Sequence, residues 1–189
     1  MHIKQINEEV FIAEDRIVKA GYQDIEFFKV KSKNNQRKRI RLCAHRGIED
    51  KVHEMLIVHT KDTYVRPHKH LNKSESFHII EGSADVVVFD DDGNITEVIQ
   101  MGDYSSGRKF YYRISDPYYH TLNITSQFLV FHETTKGPFR RADTIFAPWS
   151  PEEDDGTTVK QFMEQLAKSV EVGNPKQKTR MTIRKGENL

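Results

Sequence analysis

The sequence lacks most of the features that would place it outside a reducing, aqueous compartment. Its single cysteine, Cys43, cannot form an intrachain disulfide, so a reducing cytoplasm is the expected location. No apolar run approaches the roughly 18 residues needed to cross a bilayer, so no membrane span or membrane partner is expected. The opening residues, MHIKQINEEVFIAEDRI, carry acids and no apolar stretch, which argues against a signal peptide. Gly-x-Ser-x-Gly, a phosphate-cradling glycine-rich loop and Cys-x-x-Cys are missing, which removes the common serine-nucleophile, P-loop and thiol-redox chemistries. There are no internal repeats and no low-complexity tracts.

Neither sign of charge dominates. The 189 residues carry a net charge of +1, with 37% hydrophobic and 30% charged residues, which suits one soluble domain with a modest appendage. The densest basic run, KVKSKNNQRKRIR (Lys29 to Arg41), has few interleaved aromatics and no binding motif. It reads as a solvated face in preference to a nucleic-acid patch.

What the middle of the chain has in abundance is β signal. HEMLIVHT (53–60), SFHIIEG (76–82), ADVVVFD (84–90), ITEVIQMG (95–102), KFYYRIS (109–115), HTLNIT (120–125) and QFLVFHETT (127–135) are short and rich in β-branched and aromatic residues. A further strand is expected over Arg39–His45. DDDGN (90–94) supplies the turn chemistry of a hairpin. This spacing predicts an all-β antiparallel sandwich, jelly roll or barrel over residues 39–155. Residues 1–38 are expected to form an N-terminal extension with a short helix capped by Asp24. A helix over 156–173 follows, with Thr158 and Gln161 as a capping box and Val159, Phe162, Met163, Leu166 and Val170 as a packing stripe. Residues 174–189 form a polar tail, disordered or strand-like because Met181 and Ile183 alternate.

The chemistry concentrates in VRPHKHLNKSESFHIIEG. In an extended strand residues i and i+2 share a face, so His68 and His70 project together, and Arg66 and Tyr64 join them if the strand extends back. Two imidazoles with the carboxylate of Glu75 suit a divalent transition metal: iron, manganese, zinc or nickel. The candidate fourth ligand is His120 in DPYYHTLN.

The pattern His68-x-His70-x4-Glu75-x6-Gly82 resembles the first motif of the cupin superfamily, and PYYHTLN its second. The resemblance implies a double-stranded β-helix, a jelly-roll barrel, holding one metal through His68, His70, Glu75 and His120. RPHKH, KSESFHIIEGSADVVVFDDDG, YYHTL, HETTKGPF and FAPWSPEE together resemble WbuC-type cupin-fold metalloproteins. That family implies a setting in bacterial O-antigen or other surface-polysaccharide (lipopolysaccharide) biosynthesis but no reaction; a small sugar or nucleotide-sugar is the substrate expected in that setting.

Other candidates remain open between chemistry and packing. Glu133 is either a general base beside the metal or an exposed strand-end acid. Arg66 either reaches a substrate anion or pairs with a glutamate at the rim. Tyr64, Tyr112 and Tyr118 are substrate-binding candidates with barrel packing as the alternative. Trp149 is expected to anchor the C-terminal segment, Cys43 to pack as a small hydrophobe, and His78 to face away from the metal. The remaining histidines, His45, His53, His59 and His132 among them, show no ligand spacing and are expected to be structural. Three functions fit: a metal-dependent isomerase or epimerase, an Fe(II)-dependent dioxygenase, and a non-catalytic metal-dependent binding or regulatory protein. A homodimer is expected from an exposed sheet edge.

Overall fold

A computed structural model describes residues 1–172; the polar tail and the expected end of the last helix at Gly173 lie outside the described residues. Alternation of apolar residues with period two lays down most of the chain as strands. They are β1 (Ile3–Gln5), β2 (Val10–Ala13), β3 (Arg39–Cys43), β4 (Val52–Thr60), β5 (His68–His70), β6 (Glu75–Glu81) and β7 (Ser83–Phe89). β8 (Ile95–Gly102), β9 (Tyr111–Ile114), β10 (Tyr119–Ile124), β11 (Phe128–Lys136) and β12 (Thr144–Phe146) follow. Two helices, α1 (Tyr22–Asn34) and α2 (Gly156–Val172), complete the described elements.

The strands form two sheets, β1-β2-β3-β4-β11-β6-β9 and β12-β5-β10-β7-β8. Within them β4-β11-β6-β9 faces β5-β10-β7-β8. The eight strands β4–β11 thus alternate between the two sheets except at the β7–β8 hairpin, the order of a jelly roll, the double-stranded β-helix expected from sequence. The β7–β8 hairpin turns where DDDGN lies: Asp90 Oδ1 accepts from the backbone N–H of Asp92 and Asn94 at 3.1 and 2.8 Å, and Gly93 takes φ +90°.

Parity divides the packing. On β11, Leu129 and Phe131 point between the sheets, while Val130 and Phe128 point outward under α1. On β7, Ala84 and Val86 point inward, while Val87 and Phe89 meet α2 through Phe162, Met163, Leu166 and Val170. Leu166 and Val170 are 5% and 4% exposed, and burying such side chains is worth about 1.5–3 kcal/mol each. Trp149 stacks between Phe89 and Phe162 with its indole N–H on the Asp91 carbonyl, so it anchors the C-terminal segment.

Three local expectations are corrected. Gly21, not Asp24, occupies the cap of α1; the Asp24 carboxylate reaches back to the Gly21 N–H at 2.8 Å, so the helix starts earlier. Asp155 caps α2 by accepting from the Thr158 N–H at 3.1 Å, which makes Thr158 the third helical residue. Residues 1–38 also contribute sheet: β1 pairs antiparallel with β2, and β2 runs parallel to β3. Part of the basic run is committed within the fold. Lys29 pairs with Glu26 and Glu81, and Arg37 and Arg39 pair with Glu9 and Glu153.

Candidate metal centre

Strand register brings the four predicted ligands together. His68 on β5 lies opposite His120 on β10, and His70 lies opposite Thr144 on β12. Glu75 opens β6 on the facing sheet, opposite Thr135 of β11. The imidazole centroids of His68 stand 4.8 Å from His70 and 4.6 Å from His120. One donor atom from each of His68, His70, Glu75 and His120 lies within 4.8 Å of the others, so the cluster has the dimensions of a metal site.

The outward nitrogens are already committed. His68 Nδ1 lies 2.8 Å from the Arg66 carbonyl and His120 Nδ1 lies 3.0 Å from the Tyr118 carbonyl, each two residues upstream. A carbonyl only accepts, so both Nδ1 atoms carry hydrogen and both Nε2 atoms keep their lone pair for the interior. His70 Nδ1 is held by the Thr144 hydroxyl at 3.1 Å. Glu75 presents Oε2 to His70 Nε2 at 3.0 Å and Oε1 to His120 Nε2 at 3.1 Å. Tyr112 donates its hydroxyl to the same Oε1 at 3.3 Å. Three imidazoles with fixed outer hydrogen bonds and one buried carboxylate fit a divalent transition ion, and the outer partners are those that orient metal ligands.

The electrostatics agree with a site built for positive charge. Burial opposes ionisation of Glu75, which is 3% exposed, but hydrogen bonds and charge from His120 and His70 outweigh it and hold the carboxyl well below its usual range. Burial disfavours the His120 imidazolium too, yet the Glu75 contact raises its pKa. Burial and the neighbouring His120 push His68 down to about 3, so it stays neutral.

The cluster borders a cavity of about 600 Å³. Glu133 lines it from β11, two residues beyond Phe131 and on the same face, so it points inward and is not an exposed strand-end acid. Burial, then the charge of Glu75, raises its pKa to about 8.

The remaining candidates are placed elsewhere. Tyr64 donates to the Pro151 carbonyl at 3.0 Å and packs edge-on against Phe162. Arg66 turns to Glu152 and Ser150 and lies over the Phe146 ring, which is the rim pairing. Tyr118, 53% exposed, precedes β10. None of these three is among the residues lining the cavity, and Tyr112 touches Glu75 instead of the open space. His78 is exposed, as parity requires.

Sequence reasoning missed Thr144, and it missed the cavity role of Arg41, His53 and His59. The signal for the histidines was present: His53, Met55, Ile57 and His59 alternate along β4 on the cavity face.

A family model described as Domain of unknown function (DUF6016) matches residues 22–101, a span that includes His68, His70 and Glu75 but not His120. No curated protein matches the chain. Among solved structures, a Shewanella oneidensis protein aligns over 55% of this chain and 70% of its own, with 12% identity and TM-score 0.46. The capsular polysaccharide assembling protein CapF of Staphylococcus aureus aligns over 57% of this chain and 31% of its own, with 15% identity and TM-score 0.45. An oxalate decarboxylase of Bacillus subtilis, described with Mn(II) centres, aligns over 51% and 24%, with 21% identity and TM-score 0.40. The chain therefore spans under a third of the length of the last two.

Proposed function

We propose that the protein is a cupin-type metalloenzyme that binds one divalent transition metal through His68, His70, Glu75 and His120. We further propose that it isomerises or epimerises a small sugar or nucleotide-sugar. One observation carries the metal reading. His120 Nδ1 is spent on the Tyr118 carbonyl, so the lone pair of its Nε2 faces the Glu75 carboxylate at 3.1 Å. Two acceptors at that distance require a positive species: a proton in the free protein, a metal ion in the loaded one.

A bound divalent ion supplies Lewis acidity to a substrate oxygen. The chain supplies the proton chemistry. Glu133 is the one inward carboxyl that no cation or imidazole of the described residues occupies. Its raised pKa brings it near neutral pH, where a base for a carbon-bound proton works best. Glu133 would take a proton from the carbon next to a substrate carbonyl; isomerisation returns it to the carbonyl carbon while the hydroxyl proton passes between the two oxygens, and epimerisation takes its new proton from solvent on the opposite face. Met55 and Phe77 flank Glu133 in register on β4 and β6, and Phe131 precedes it on the same face, so its immediate surroundings are apolar. The polysaccharide setting, and the sugar substrate expected in it, rest on the WbuC-type resemblance over roughly Arg39 to Glu153.

The test is elemental analysis of protein purified without chelator, followed by incubation with nucleotide-sugars in D2O. About one equivalent of metal is expected, and well under about half would overturn the site. Deuterium at a substrate carbon, lost in Glu133→Gln with metal retained, is the expected catalytic result. Oxygen uptake by an iron-loaded protein would replace the isomerase with an oxygenase. Tight binding without exchange or turnover would leave a binding protein.

A further inference from the structure

We propose that the cavity is built for an anionic ligand, with Arg41 as the anchor for its carboxylate or phosphate while the rest of the molecule extends toward the His68–His70–Glu75–His120 cluster. This rests on the cavity assigned above but not on its reaction.

Arg41 sits in the middle of β3, where Ile40 and Leu42 point outward to the α1 side. Arg39, Arg41 and Cys43 line the cavity from the alternate face. The neighbouring arginines are spoken for: Arg37 and Arg39 share Glu9 and Glu153. The Arg41 guanidinium makes no hydrogen bond or ion pair among the described residues, although the residue is half-buried. A guanidinium at a cavity wall with no protein partner leaves its five donors, set in a planar fork, free to match a carboxylate or phosphate.

Charge in the rest of the cavity points the same way. Of the lining acids, Glu9 is held by Arg37 and Arg39, and Glu75 is held by His70 and His120. Lys73 and Arg141, at the same cavity, have no acidic partner among the described residues; they lie over the rings of Phe139 and Phe146. Three cations without acidic partners thus line a space in which one acid, Glu133, is unpaired, so positive charge is in excess. Beside Arg41 on the inward face of β4, His59 keeps a buried Nδ1 with no partner, and His53 further along keeps a buried Nε2 likewise. Unsatisfied buried polar atoms of this kind mark a place where a ligand or its waters complete the bonding. Arg41 pairs in register with Ile57, and Ile57 with Phe131, one inward step before Glu133. A ligand anchored at Arg41 therefore runs past Glu133 toward Glu75, which gives the cavity a polarity: acid end at β3, reacting end at the histidines.

The test compares glucose, glucuronate, glucose 1-phosphate and inorganic phosphate by titration calorimetry, with metal-loaded and chelator-stripped protein. Wild type should bind glucuronate or glucose 1-phosphate at least about tenfold more tightly than glucose, and should keep that preference without metal. Which of the two anions binds better separates a carboxylate ligand from a phosphate one. Arg41→Ala should lose the preference about tenfold or more, with Arg41→Lys restoring part of it, and with metal content unchanged. Anion binding that vanishes with the metal, or that Arg41→Ala leaves intact, would overturn the proposal, as would no anion binding at all. Loss of the metal site itself shows separately, in the metal content of wild type. Arg66→Ala, at the rim, checks that removal of any nearby arginine is not sufficient.

Discussion

His120 Nε2 stands 3.1 Å from Glu75 Oε1 while its Nδ1 is held by the Tyr118 carbonyl, and His68 repeats the arrangement on the Arg66 carbonyl. Both rings are therefore turned by backbone, not by chance packing, so the interior nitrogens stay available whatever occupies the cavity. Substituting His68, His70 or His120 by alanine should lower metal affinity by at least about 100-fold, since even outer partners of metal ligands are worth 10–100-fold. His53→Ala, on the same cavity but outside the cluster, should retain metal. Dialysis against a fluorescent chelator reads all four. Equal loss in the His53 variant would mean that the cavity as a whole, not the cluster, sets affinity.

Tyr112 gives a finer probe of the same carboxylate. It is 8% exposed and its hydroxyl donates to Glu75 Oε1 at 3.3 Å. Tyr112→Phe keeps the ring against Phe77 but frees that oxygen. Metal affinity should fall by about tenfold, and stability should change by only about 1 kcal/mol. An unchanged affinity would show that His70 and His120 alone orient Glu75.

Much of this centre was legible because its spacing is a consequence of strand geometry. His68 and His70 share a face, Glu75 opens the next strand, and period two carries Glu75, Phe77 and Ile79 inward together. The same rule does not reach Arg66, and the reason is specific. β5 begins at His68, so residues 64–67 are not strand and parity does not extend to them. Arg66 is then free to turn toward Glu152. Tyr118 lies one residue before β10 begins, so strand parity does not fix its direction either. β1 and β2 are three and four residues long, too short for periodicity to register, and their pairing is long-range information. Glu133 could be oriented only once β11 was known to run unbroken from Phe128 to Lys136.

Glu133 also ties stability to pH. Its pKa is raised to about 8 in the fold, from a usual value of 4.5, by burial and by Glu75. Between those values the folded chain binds a proton that the unfolded chain does not. Stability associated with this residue is thus complete below about pH 4.5 and is lost as pH rises toward 8, with no further loss above. The total is at most about 4 kcal/mol, because the side chain borders a cavity that admits water. In chelator-treated protein, Glu133→Gln should remove this decline, so the variant gains on wild type from pH 5 to pH 9. Parallel urea midpoints for the two proteins across that range would contradict the assignment of Glu133 as a buried, protonated acid.

Gly82, the glycine of the motif, has a role that geometry alone explains. It links β6 to β7 at φ +87°, and a Cβ placed there would lie 2.1 Å from the Phe128 carbonyl oxygen and 2.5 Å from the Ser126 hydroxyl. The β11 backbone cannot yield, because Phe128 pairs with Thr60 on the other side. Gly107 offers the control: it has φ +71° with nothing within 4 Å of the added carbon. Gly107→Ala should therefore cost only the backbone strain, about 1 kcal/mol. Gly82→Ala adds a collision to the same strain and should cost about 2–4 kcal/mol. Denaturant midpoints at fixed m-value measure both. Equal costs would show that the turn relaxes away from Phe128, and that left-handed backbone alone accounts for glycine at this position.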